Sequence, residues 1–162
     1  MELSTWFDYQ LRSTLDGFTW AVRQYPAERL YLVPPSPLGL GEWSVAQHVF
    51  HLLEYEERLT LPSMYQWLGA PAPVRHGGQG EGELPPIEEM LTQFERVREQ
   101  EIKLLSQFSQ ELWESKRTTT FWGDVALHWL VSKTYQHTLE HTHDILSLTL
   151  FWDRRLARMA PG

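Results

Sequence analysis

The chain of 162 residues contains no cysteine. That excludes a disulfide framework, a thiolate nucleophile and a cysteine-type zinc site, so any metal must be held by imidazole and carboxylate. Basic residues are scarce: 14 Lys and Arg against 21 Asp and Glu give a net charge of −7. A broad cationic surface for nucleic-acid backbone or anionic membrane is therefore not expected. No uninterrupted apolar run approaches the roughly 20 residues needed to cross a bilayer. The opening stretch MELSTWFDYQLRSTLDGF mixes acids with apolar residues and lacks the basic head and apolar core of a signal peptide, so a cytoplasmic protein is expected. What is abundant is aromatic and imidazole: eight tryptophans and seven histidines.

Four stretches carry helical periodicity, separated by segments dense in Pro and Gly, and no strand-like alternation competes with them. The first runs from about Ser4 to Tyr25, with Trp6, Leu11, Leu15, Phe18 and Val22 recurring until Pro26 blocks continuation. The second opens at Ser44, where Ser44-Val-Ala-Gln47 has the form of a capping box, and ends near Leu68-Gly69. Residues 69–85, GAPAPVRHGGQGEGELP, hold too little apolar surface to order as helix and read as a linker of seventeen residues, with His76 a solvated loop residue. The third helix follows Pro85-Pro86 and buries Leu91, Phe94, Leu105, Phe108 and Leu112. Asp124 is the expected N-cap of the fourth, which continues to about Phe151 with Leu127, Leu130, Thr134, His137, His141 and Leu148 on one face. Four such helices bury their stripes best against one another, so the expected fold is all-α, a four-helix bundle in one domain over residues 1–162.

His137 and His141 interrupt the inward stripe. Four residues apart, they stand one above the other, the spacing at which two imidazoles chelate one cation. His128 and His143 point elsewhere. Asp144 lies about 60° round from His141 and one turn on, placed to orient a ligand through its second ring nitrogen. The HExxH pattern of zinc proteases is absent. A third ligand should come from another helix, and the second offers His48 and His51. His51, about seven residues into its helix, meets His141, about ten from the end of its own, at matching height only if helices two and four run antiparallel, so one connection must cross the length of the bundle. The 69–85 linker can do so, spanning up to about 56 Å when extended, against a helix of roughly 36 Å.

These residues resemble the DinB-like, or YfiT-like, metal-binding four-helix bundles of bacteria, a family distinct from the DNA polymerase of similar name. Two motifs carry the likeness: Trp43-Ser44 followed by His51-Leu52 in WSVAQHVFHL, and the His137-x-x-x-His141 pair ending in HTHDI. The resemblance implies an up-down-down-up topology and makes His51, His137 and His141 the metal ligands, with His48 a hydrogen-bonded partner. Where the family often has Arg-Gly-Gln after the second histidine, this chain has Thr142, His143 and Asp144.

The resemblance further implies a divalent metal with open coordination positions, Zn or Ni foremost and Fe or Mn next. It also implies a small-molecule substrate and, because members often dimerise, a candidate homodimer; the acidic charge and the lack of a spanning run argue against nucleic-acid and membrane partners. Members with known activity are thiol-dependent transferases, isomerases or metal-dependent hydrolases, which favours activation of a low-molecular-weight thiol over that of water. The competing classes are a non-catalytic, stress-related metal or small-ligand binding protein and a metal-free interaction module. Trp43 and Trp122 stand at the starts of the two histidine-bearing helices and either line the site or staple the loops, the staple being preferred. Glu54, Glu56 and Glu57 read as a solvated face, with Glu54 partly on the side of His51.

Overall fold

A computed structural model describes residues 2–73 and 84–159. The expected 69–85 linker, with His76, lies largely outside the described residues. The structure is mostly helical, with one small two-stranded sheet.

Helix α1 spans Leu3–Gln24 and buries Phe7, Leu11, Leu15, Phe18 and Val22 at steps of three and four. It stops where Tyr25, preceding Pro26, is forced into the extended region at φ −74° and ψ 142°. Helix α2, Val45–Tyr55, opens on the predicted capping box. Ser44 Oγ accepts from the Gln47 amide at 3.2 Å, and Gln47 Oε1 accepts from the Ser44 amide at 2.7 Å.

The second helical stretch is not regular throughout. A π-turn over Glu56–Thr60 joins α2 to α3, Leu61–Leu68, which ends at Gly69 with φ +67°. Pro62 supplies the reason: it has no N–H to give the carbonyl four residues back, and its ring would strike that carbonyl in a regular helix. The widened turn before it relieves both. It also carries Glu56 and Thr60 to the interior, where neither is more than 1 % exposed. The expectation of a solvated acidic face is thus corrected for Glu56.

Helix α4, Ile87–Leu105, buries Met90, Leu91, Phe94, Ile102 and Leu105. It stops well short of the expected Leu112. Phe108 is still buried, but from the connecting turn, and Leu112 belongs to a separate short helix α5, Gln110–Glu114, capped by Ser109. There follows a hairpin where none was expected, β1 Lys116–Thr119 against β2 Gly123–Ala126, with Thr119 opposite Gly123. Its turn closes through Gly123 at φ +66°, a conformation that costs other residues more. Asp124 therefore sits in β2, where it accepts a hydrogen bond from Thr118, and does not cap the last helix. That helix, α6, covers Leu127–Met159, about two turns beyond the expected end near Phe151.

Cross-helix pairs give the directions. Arg12 meets Glu99 and Arg23 meets Glu88, so α1 and α4 run oppositely. His48 meets His141, His51 meets His137 and Thr60 meets Thr134, so the α2–α3 stretch and α6 also run oppositely.

At the centre lies a charge network. Arg98, Glu56 and Glu101 have no exposed surface. Arg98 Nε donates to Glu56 Oε2 at 3.1 Å and its Nη2 donates to the other carboxylate oxygen. The same guanidinium donates to Thr138 Oγ1 at 2.8 Å and to Thr14 Oγ1 at 3.3 Å. Glu101 lies 3.3 Å from Arg98 Nε, and burial together with the Glu56 charge pushes its carboxyl well above the usual range. Removing a partner from such a pair strands a buried charge. Arg98→Met is expected to lose about 3–5 kcal/mol in guanidinium denaturation. Arg12→Ala, which breaks exposed pairs, should lose less than about 1 kcal/mol.

Candidate metal centre

Three imidazoles from two helices converge. His51 Nε2 is 3.2 Å from His137 Nε2, and His141 Nε2 is 3.0 Å from the same atom. His137 and His141 share a face because they are one turn apart on α6, and His51 reaches them because α2 runs oppositely alongside. Each neutral imidazole offers one N–H and one lone pair. His137 Nε2 faces two ring nitrogens but can serve only one hydrogen bond in a given tautomer.

A divalent cation suits this arrangement better. Nitrogen ligands at about 2.0–2.1 Å from a tetrahedral ion stand about 3.3 Å apart, close to the observed separations. Among the described residues the ligand atoms of His51, His137 and His141 all lie within 4.8 Å of one another. The donor set is imidazole alone, which suits Zn, Ni, Cu and Fe.

The surroundings keep these rings neutral. Burial lowers His137 to about 4, reinforced by the neighbouring His51. Burial lowers His141 further, to about 3, with His137, His48 and His51 adding to the effect. His51 is lowered by burial as well. Near neutral pH all three present lone pairs, the form a metal requires.

Trp43 covers the cluster. Its ring stacks on His141 with an interplanar angle of 4° and a centroid distance of 5.7 Å, and lies 4.8 Å from the His51 ring. It lines the site, against the preference for a loop staple. On the other side the Tyr55 ring packs 4.2 Å from His137, and Trp122, in the hairpin turn, touches Tyr55 without reaching an imidazole.

His141 Nδ1 meets His48 Nδ1 at 2.7 Å, a hydrogen bond between two buried rings. Burial lowers His48 to about 4, opposed in part by the charge of Asp144. Asp144 brings a carboxylate oxygen within 4.8 Å of ring nitrogens of His48 and His141, while its close polar contact is His143 at 3.4 Å. The position foreseen for Asp144 beside His141 is thus taken by His48. The signal was present: His48 is three residues before His51 and so on nearly the same face. Glu54 pairs with Arg58 at 2.7 Å. His143 is exposed and His128 is half-buried near Glu114, and neither joins the cluster.

Two hollows reach the imidazoles from outside. One, of about 690 Å³, is walled by Trp43, His48, His141, Asp144, Ser147 and Arg155. The other, of about 600 Å³, runs along His137, His141, Gln136 and Glu140.

The sequence model of the DinB superfamily matches residues 10–145. The chain belongs to the DinB superfamily. The matched span contains all three converging histidines, Trp43 and His48, and the DinB-like resemblance of the two motifs is thereby met. No curated protein matches this chain.

Acid should act on this DinB-superfamily site in a defined window. The folded histidines titrate at about 3 to 4, against 6.5 for the free side chain. Unfolding therefore takes up protons as pH falls below about 6.5, and stability that is full above that value declines toward about 4. In metal-free protein, denaturation from pH 7 to 5 should show this slope. His141→Phe should reduce the uptake by about one proton.

Proposed function

We propose that this protein is a metal-dependent enzyme in which His51, His137 and His141 hold a divalent cation, Zn or Ni foremost and Fe or Mn next, and which activates a low-molecular-weight thiol. The observation that carries the reading is the meeting of three Nε2 atoms, from two helices, at 3.0 and 3.2 Å around His137. A cation so held, with positions left open, lowers the pKa of a thiol or water molecule that binds to it and yields a nucleophile near neutral pH.

The chain's own residues supply the rest. The imidazoles arrive neutral because burial has already removed their protons near pH 7. Trp43 shields one side of the cluster and fixes the planes of the rings it touches. The hollow beside His141 offers room for a small substrate, with polar groups from Asp144, Ser147 and Arg155 along its wall. This access supports an open catalytic site over a closed structural one, whose fourth position a protein group would fill. The preference for thiol over water rests on the family resemblance, and a metal-dependent hydrolase uses the same residues.

The opposite directions of α1 and α4, and of α2 and α6, support a four-helix bundle with up-down-down-up order, the α3–α4 connection making the crossover.

Elemental mass spectrometry on tag-free protein tests the centre. Wild type reconstituted with Zn or Ni should hold about one ion per chain, and His51→Ala and His137→Ala should hold almost none. At a free metal concentration of 100 times Kd, wild type should gain about 2.7 kcal/mol of stability that the variants do not. Turnover of an electrophile that needs both metal and added thiol supports the transferase reading. Hydrolysis without thiol would replace it with the hydrolase. Wild type that stays metal-free overturns both.

A further inference from the structure

We propose that His48 is a positioning residue that accepts a hydrogen bond from His141 Nδ1–H and so holds His141 in the tautomer whose Nε2 lone pair faces His137 and His51. The inference rests on the metal-centre reading above and assigns a role to a residue outside the three ligands.

The two Nδ1 atoms stand 2.7 Å apart, so one of them carries a proton and the other accepts it. The direction decides what His141 offers on its other side. If His48 donated, the proton of neutral His141 would sit on Nε2, aimed at His137 Nε2 only 3.0 Å away. One of the three converging lone pairs would then be lost. If His141 donates, all three remain. In water the proton of a neutral histidine sits mainly on Nε2, so His141 needs a partner to invert that preference, and His48 is the only described group bonded to its Nδ1.

The neighbours hold the pair in this geometry. His48 and His141 are 6 % and 8 % exposed, and Trp43 packs against both rings. Rotation of either ring out of the bond would break these contacts. His48 in turn carries its proton on Nε2, and that atom is not among the buried polar atoms lacking a partner. It has an outlet, since His48 lines the hollow that also contains Asp144. The arrangement thus leaves no stranded donor on His48.

His48, His141 and Asp144 also group closely enough to suggest a second cation. The 2.7 Å between the two Nδ1 atoms argues otherwise, being shorter than the roughly 3.3 Å between nitrogens on a tetrahedral ion. A proton between them fits; an ion does not.

Long-range proton–nitrogen NMR correlation on metal-free wild type at pH 7.5 reads the tautomer directly. The expected result is His141 with its proton on Nδ1 and His48 with its proton on Nε2. In His48→Phe, which keeps a ring but removes the acceptor, His141 should move to the Nε2–H form. Its zinc affinity, measured by competition with a chromophoric chelator, should fall about 10- to 100-fold. In His48→Asn, whose Oδ1 occupies the place of Nδ1, affinity should stay within about threefold of wild type. A proton on Nε2 of His141 in the wild type overturns the inference, as does a His48→Phe protein that binds zinc as tightly as wild type. The wild-type tautomer needs no variant to fold. Wild type that binds no zinc overturns the metal centre instead, and the tautomer still decides the direction of the bond.

Discussion

The arrangement of the helices depends on one guanidinium that has no contact with water. Arg98 must be neutralised where it lies, and Glu56 does so through two parallel hydrogen bonds. Glu101, beside them, is driven toward its neutral form, so the cluster settles near zero net charge. What remains of the donor set ties Arg98 on α4 to Thr14 on α1 and to Thr138 on α6. Buried ion pairs contribute little to stability relative to apolar packing. What this one provides is register: a one-turn slip of any of these elements would leave a charge or hydroxyl unpaired in the core.

That register is also the register of the imidazoles. Thr138 directly follows His137, and Glu56 directly follows Tyr55, whose ring packs on His137. The π-turn forced by Pro62 turns Glu56 inward and so joins the charge network to the histidine cluster. Desolvation then acts on the two groups in opposite senses. In the network it raises a carboxyl, and in the cluster it empties the imidazoles of protons. Both effects remove net charge from the interior.

The long-range character of these pairings explains what the sequence disclosed. The four helical stretches, the Ser44 capping box and the His137–His141 spacing are local patterns, and each was legible. The opposite running of the two histidine-bearing helices followed from matching heights along them. Glu56 was opaque because its partner lies 42 residues away, and nothing in an acidic run distinguishes the carboxylate that turns inward. The hairpin was hidden for another reason: Lys116, Arg117 and Thr118 are exposed, so β1 has no apolar alternation to announce it. Asp124 has the chemistry of a cap, and only the cross-strand bond from Thr118 places it in a strand. His48 was visible as an imidazole on the right face. Its link to His141 depends on α6.

The loop before α2 has a different relation to the site than the helices do. Arg155, far along α6, donates through Nη1 to the carbonyls of both Leu38 and Gly39, and Gly39 holds φ +59°, a left-handed conformation that favours glycine. The converging nitrogens sit on regular helices, whereas much of the wall of the adjoining hollow comes from residues 39–43 of this pinned loop. The two meet at Trp43, which stacks on His141, while the rest of the loop makes no ring contact with an imidazole among the described residues. Leu40 and Glu42 line the hollow without carrying a converging nitrogen, so changes there would alter its wall while His51, His137 and His141 keep the spacing their helices give them.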